Sequence, residues 1–325
     1  MRVLLLSLVL LAAPLQAAEP MPMLVGDTGL HDPSVIVTPT GWAAFATGVE
    51  QAPDGGTVRT KTSPDGITWT ETGALPGGLP AWIKPELGYQ PRNIWAPSVS
   101  RRGDTLYMYY SASRFGRNNS AIGLMTHTSF DATRPAEGWQ DQGLVFRSRR
   151  DDWLNAIDPY RIDLADRAFL AFGSYWDGIR MIELDPATGL RKDDAVPLRL
   201  ASRNGEAVEA ATILAHGGKF YLLVSFDACC KGLASTYRIM VGRADSVEGP
   251  YLDRDGTPML DGGGTELLAS TGRYVGPGGQ EVVDVDDSPW LAFHYYDGDA
   301  GGMPKLQLAP LAWSADGWPE LGALP

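Results

Sequence analysis

The chain has 325 residues, with 27 Lys and Arg against 39 Asp and Glu, a formal net charge of -12, and only two cysteines. That acidity argues against a nucleic-acid partner, because phosphate backbones are held by basic surfaces. The cysteines, Cys229 and Cys230, are adjacent, which excludes a disulfide framework and zinc-type ligand spacing, so the fold must rest on its own apolar core.

The first element is a short apolar run, Val3 to Ala13, broken only by Ser7 and followed by Pro14 and the small residues Ala17 and Ala18. It reads as a signal peptide over residues 1–18, since the run is too brief to cross a hydrocarbon core of about 30 Å. Its removal takes away one base, Arg2, and no acid, so the net charge of -12 becomes -13. No later run is long enough for a membrane helix. Residues 19–325 are therefore expected to be exported, secreted or periplasmic, and to act as a monomer without a membrane partner.

Beyond the leader, Gly (38) and Pro (24) make up about a fifth of the chain, and helical periodicity is almost absent, which predicts an all-β fold. Five strand-like runs recur: Trp42–Ala46, Thr105–Tyr110, Ala168–Phe172, Lys219–Val224 and Trp290–Tyr295. Each lies about ten residues after a small or Pro-containing start: Asp32-Pro33-Ser34, Ala96-Pro97-Ser98, Asp158-Pro159-Tyr160, Glu209-Ala210-Ala211 or Pro277-Gly278-Gly279. From Pro33 to Pro97 is 64 residues and from Pro97 to Pro159 is 62; the other intervals are about 51 and about 68, a period that suits four-stranded propeller blades. The prediction is one five-bladed β-propeller over residues 19–325. A hairpin with a Pro64-Asp65-Gly66 turn belongs to its first blade, a similar turn spans Ala312–Trp318, and the last blade is expected to close against residues near the mature N-terminus.

The starts also carry chemistry. Asp32, Asp158 and Glu209 each precede an inner strand, in blades one, three and four, and inner strands surround one channel. Taken singly, Asp-Pro is an ordinary turn initiator. The shared blade phase instead predicts three acids at one mouth. Glycoside hydrolysis needs two carboxyls, one protonated and one ionised, and a third nearby would favour the protonated form of its neighbour.

The motifs His31-Asp32-Pro33-Ser34, Asn93-Ile94-Trp95-Ala96-Pro97, Phe115-Gly116, Ala156-Ile157-Asp158-Pro159, Phe172-Gly173-Ser174-Tyr175, Val208-Glu209-Ala210, Cys229-Cys230-Lys231-Gly232 with Ser235-Thr236-Tyr237, and His294-Tyr295-Tyr296-Asp297 together resemble endo-acting α-1,5-L-arabinanases of glycoside hydrolase family 43. The likeness runs from about residue 30 to the C-terminus. It implies hydrolysis of internal linkages in arabinan with inversion, Asp32 as general base, Glu209 as general acid, and Asp158 orienting Glu209 and keeping it protonated. Inversion would place the base and acid carboxyls about 6.5–9.5 Å apart. His31, Trp95, Phe115, Asn155, Ser174, Tyr175, Ser235 and Thr236 are the expected substrate contacts, the aromatics as stacking surfaces and the others through hydroxyls; each aromatic is equally readable as blade core.

Many members carry a histidine after Gly-Pro-Gly in the last blade, where it binds a calcium or similar ion in the channel. Here the segment reads Gly276-Pro277-Gly278-Gly279-Gln280-Glu281. Gln280 is then the expected calcium contact, with Glu281 contributing, or the channel holds only water. His294 reads as a packed core histidine, and Cys229-Cys230 as either a vicinal disulfide or two thiols. Alternatives of the same fold are an exo-arabinanase, a β-xylosidase or an α-L-arabinofuranosidase, with the Leu75–Gly88 or Arg147–Asn155 loop closing the groove. A non-catalytic sugar-binding propeller is the alternative from another class.

Overall fold

The computed structural model describes residues 18–50, 52 and 55–325; the predicted signal peptide lies outside them except for Ala18. Five sheets stand in a ring as the blades of a five-bladed β-propeller. Blade one contains β1 (Val25–Gly26), β2 (Ser34–Thr38), β3 (Gly41–Ala46), β4 (Arg59–Ser63) and β5 (Thr68–Ala74). After a short helix, α1 (Ile83–Leu87), blade two contains β6 (Ile94–Arg102), β7 (Thr105–Ala112), β8 (Ala121–His127) and β9 (Gln140–Arg147). Blade three runs through β10 (Tyr160–Asp163), β11 (Ala168–Phe172), β12 (Ile179–Leu184) and β13 (Leu198–Ala201). Blade four has β14 (Val208–His216), β15 (Lys219–Phe226), β16 (Arg238–Ala244) and β17 (Thr265–Leu268), and blade five β18 (Tyr274–Val285), β19 (Ser288–Asp297), β20 (Met303–Trp313) and β21 (Pro319–Leu321).

All five predicted runs are the second strand of a blade, and the packing explains why they read as continuous apolar stretches. In β7, Leu106, Met108 and Tyr110 pack toward blade one while Tyr107 and Tyr109 pack toward blade three. In β15, Leu222 and Val224 face blade three, and Tyr221 and Leu223 face blade five. Successive side chains point to opposite faces of a strand, and here both faces are covered. Burying each Leu- or Phe-sized group contributes about 1.5–3 kcal/mol, and the gain falls between blades rather than within them.

The ring closes between blades five and one through Leu30, Val35 and Ala44 packed on Val283, Ala292, Leu306 and Leu308. The chain ahead of β2 adds hydrogen bonds to blade five: Met21 N–H to the Ala323 carbonyl (2.9 Å), Leu30 N–H to the Pro304 carbonyl (3.2 Å), and the Gln307 amide to the Pro22 carbonyl (2.9 Å). This is the expected closure. The same segment also supplies β1, which pairs in parallel with β5 at the outer edge of blade one and so covers an exposed strand edge. In the Leu75–Gly88 loop, α1 buries Ile83 and Leu87 against the core of blades one and two.

Candidate active site

At or just before the start of each inner strand one equivalent position has a left-handed backbone: Asp32 (φ 52°), Ala96 (φ 40°), Asp158 (φ 55°), Ala210 (φ 54°) and Gly279 (φ 59°). Gly and Asp accept this conformation readily, whereas the two alanines hold it against their own Cβ. What holds them is the neighbouring blade. The amide of Ala96 donates to Thr47 Oγ1 (2.9 Å), that of Asp158 to Ser111 Oγ (2.9 Å), and that of Ala210 to Asp158 Oδ2 (3.2 Å). The Gly279 amide donates to Ser225 Oγ (3.0 Å) and the Asp32 amide to His294 Nδ1 (3.2 Å), so every turn is tied to the blade before it around the ring.

Asp32 and Asp158 thus occupy equivalent positions, as expected. Glu209 does not. Ala210 takes the turn in blade four, and Glu209 lies one residue earlier, where the β14–β15 register shifts between Glu209 and Thr212. Its equivalents are His31, Trp95, Ile157 and Gly278. The three acids nevertheless meet electrostatically, since Asp158 and Glu209 each respond to the charge of Asp32 and Asp158 also to that of Glu209.

Their surroundings differ. Burial opposes charge on Asp32, but it is outweighed by the His31 imidazole, whose Nδ1 lies 2.8 Å from Oδ2, and by the Thr47 hydroxyl, which donates to Oδ2 at 2.6 Å. The Asp32 carboxyl is held far below the usual carboxylate range. Burial has the opposite outcome at Asp158, where the charges of Glu209 and Asp32 add to it and the Ala210 amide opposes it only weakly, so its carboxyl is pushed well up. Glu209 is likewise pushed up by burial, against the hydroxyls of Ser174 and Tyr237, which donate to its two oxygens. Asp158 and Glu209 therefore both favour the protonated carboxyl where Asp32 is ionised. One ionised and one protonated carboxyl around one mouth is the acid–base equipment for glycoside hydrolysis.

A family model described as "Glycosyl hydrolases family 43" matches residues 22–319. The chain belongs to this family. An extracellular endo-α-(1→5)-L-arabinanase of Bacillus subtilis (strain 168) is 39% identical over 292 residues, covering 90% of this chain and 87% of that protein. An extracellular exo-α-(1→5)-L-arabinofuranosidase of Cellvibrio japonicus (strain Ueda107) is 33% identical, covering 90% and 86% respectively. Among solved structures, a family 43 endo-arabinanase from Bacillus licheniformis superposes with a TM-score of 0.83 at 40% identity, covering 92% of this chain and 99% of that one.

For this family 43 chain, the structure separates the expected substrate contacts into two groups. Trp95 and Phe115 line an open cavity of about 450 Å³ with Asn93, Arg92, Arg114 and Glu50; the Trp95 ring is fixed by its Nε1–H on Asn93 Oδ1 (2.8 Å), and Phe115 is 78% exposed. Tyr175 stands at the end of blade three with its amide on the Val208 carbonyl, next to Glu209. These aromatics remain available to a sugar. The polar residues also bond within the protein. Ser174 bonds Glu209, Asn155 is buried and accepts from the Ser120 hydroxyl (2.7 Å), Ser235 Oγ accepts from the Lys231 amide (3.0 Å), and Thr236 Oγ1 from the Ala228 amide (3.1 Å). They shape the site's loops. His31 is engaged at both ring nitrogens, by Asp32 and by the Tyr296 hydroxyl.

Thr47, Tyr237 and Tyr296 were not singled out by sequence reasoning. The Ser235-Thr236-Tyr237 and His294-Tyr295-Tyr296 motifs were the available signal, although the bonding atom could not be chosen from them. His294 is fully buried, with Nδ1 accepting from the Asp32 amide, and burial and the neighbouring His31 charge keep it neutral.

Gln280 lines the channel, where its neighbours hold it. Its side-chain oxygen accepts from Ser225 (2.8 Å), its amide donates to the Ala210 carbonyl (2.6 Å), and its backbone carbonyl accepts from Thr212 (2.7 Å). Glu281 is the next residue along the same strand. It lines a narrow cavity of about 30 Å³ together with Asp32 and Asp158, accepts from the Ser98 hydroxyl at 2.8 Å, and is pushed up to about 8 by burial.

Proposed function

We propose that this protein hydrolyses internal α-1,5-L-arabinofuranosidic linkages of arabinan with inversion. The observation that carries this reading is the meeting around one mouth of Asp32, bonded by His31 and Thr47, with the buried Asp158 and Glu209, an arrangement that favours charge on the first and a proton on the other two. Glu209 gives its proton to the leaving glycosidic oxygen while Asp32 takes one from a water attacking the opposite face of the furanose. Asp158 positions the Glu209–Ala210 backbone through the amide of Ala210, while burial and the charge of Asp32 raise the proton affinity of Glu209. The stacking surfaces are Trp95, Phe115 and Tyr175. Identity to an endo-acting relative supports internal cleavage. An exo-acting relative at 33% identity keeps release of terminal units as the second reading.

Digestion of linear arabinan decides between them: endo action gives a ladder of oligomers from the first minutes, whereas a single short product from the outset would reject it. The first-formed reducing end, followed by proton NMR, is expected to be the β anomer. All three acids come from one chain, so a monomer is sufficient for the reaction. The extracellular relatives and the N-terminal apolar run support export.

The channel's oxygen donors suit a hard cation, and Gln280 and Glu281, with the Ser98 hydroxyl, are the residues that would hold calcium there. A bound cation would supply positive potential beneath the acids. Treatment with EDTA is then expected to lower both the melting temperature and the activity, with calcium restoring both; unchanged values would remove the ion from the reading.

A further inference from the structure

Cys229 and Cys230 form a vicinal disulfide that the proposed reaction does not use, yet it lies within reach of the base. The Cys230 amide donates to Tyr296 Oη at 2.7 Å, and Tyr296 Oη lies 2.7 Å from His31 Nε2. Cys230 Sγ is itself 3.9 Å from that nitrogen. On its other side the ring places Nδ1 at 2.8 Å from Asp32 Oδ2. One unbroken line of contacts therefore joins the disulfide turn in blade four, Tyr296 in blade five and the carboxyl of Asp32 in blade one.

We infer that the disulfide turn and Tyr296 form a positioning unit that locks the His31 ring with its Nδ1–H on Asp32, and so aims the base at the attacking water. This rests on the reading of Asp32 as general base. The stack of His31 on His294, with centroids 3.7 Å apart, restrains the plane of the ring but allows a half-turn flip about Cβ–Cγ that keeps the same plane. Bonds at both nitrogens remove that freedom, since a flipped imidazole would present carbon instead of Nδ1–H to the carboxylate. Tyr296 supplies the second bond, and the amide of Cys230 fixes its hydroxyl. Cys230 has a left-handed backbone (φ 66°), and its turn is folded on itself by Lys231 N–H on Ser235 Oγ and Ala228 N–H on Thr236 Oγ1. Joining the two side chains removes the backbone freedom that would let this amide swing away, which is preorganisation at a distance from the substrate.

The titratable groups facing His31 are Asp32 on its own segment, His294 and Tyr296 from β19, and Glu209 from β14. Asp32 in turn faces His31, His294, Glu209, Asp158 and Tyr237. Weakening the hold on His31 raises the proton affinity of Asp32, and activity is then lost from the acid side.

The test compares Tyr296→Phe and the double variant Cys229→Ser/Cys230→Ser with the wild type on linear arabinan, recording kcat, KM and the melting curve across pH. Both variants are expected to keep KM within about twofold, to lose about tenfold in kcat on the acid side, and to move the acid limb up by about one pH unit, the shift that corresponds to a tenfold change. A pH profile superimposable on the wild type would overturn the inference, as would an equal loss at every pH accompanied by a lower melting temperature. Wild-type turnover of linear arabinan is the control that separates this result from failure of the hydrolytic reading itself.

Discussion

Glu209→Ala is expected to lower kcat on linear arabinan by about two to four orders of magnitude, the usual contribution of a positioned general acid, while binding of arabino-oligosaccharides persists. The loss should depend on the leaving group. An alkoxide from a sugar must be protonated as it departs, whereas a nitrophenolate departs unaided, so a nitrophenyl arabino-oligosaccharide should lose far less than the polymer. Equal losses on both substrates would assign Glu209 a role other than proton donation. Because Glu209 is held by Ser174 and Tyr237 rather than by Asp32, its removal leaves the base and its partners in place. The wild type also carries a pH signature. Burial and the charge of Asp32 raise Glu209, so the donor's proton is present below that raised pKa, and activity falls as pH rises through it.

Asp32→Ala should be as damaging, by about two to four orders of magnitude on the polymer, but with a different dependence. A good leaving group does not replace a missing base, so the nitrophenyl substrate should be lost as completely as arabinan. Added azide, a nucleophile that needs no deprotonation, should restore turnover of the nitrophenyl substrate and give the β-configured glycosyl azide. An α-configured azide would contradict inversion, and full activity without azide would remove Asp32 from the reaction. The lowered pKa of Asp32 fixes the sign on the acid side: its carboxylate, and the stabilisation drawn from His31 and Thr47, are present above the ordinary carboxylate range and are lost only as pH falls through the depressed value.

Much of the architecture could be read from the chain because burial between blades leaves a plain trace. Ala168–Phe172 and Lys219–Val224 are apolar on successive residues because each face of those strands meets another blade, and their regular recurrence counts the blades. Asp32 and Asp158 were legible for a similar reason, since Asp-Pro marks a left-handed turn before an inner strand. Glu209 was found but misphased by one residue, because Ala210 accepts the same backbone without an Asp or Gly to announce it. The polar contacts were the least legible. Ser174 and Gln280 looked free to meet a sugar or an ion, yet their partners are Glu209, Ser225 and Ala210, brought close only when the ring closes. The parallel pairing of β1 with β5 was hidden because two residues are too few to carry a strand pattern.

The five turn amides, each anchored on the blade behind it, make the catalytic geometry a collective property of the circle. A loosened seam anywhere along the circumference releases a neighbour's turn, and the disturbance is passed from blade to blade until it reaches an acid. Turnover should therefore fail during heating before the sheets themselves melt, and loss of catalysis becomes an early gauge of damage to blades that never touch the sugar.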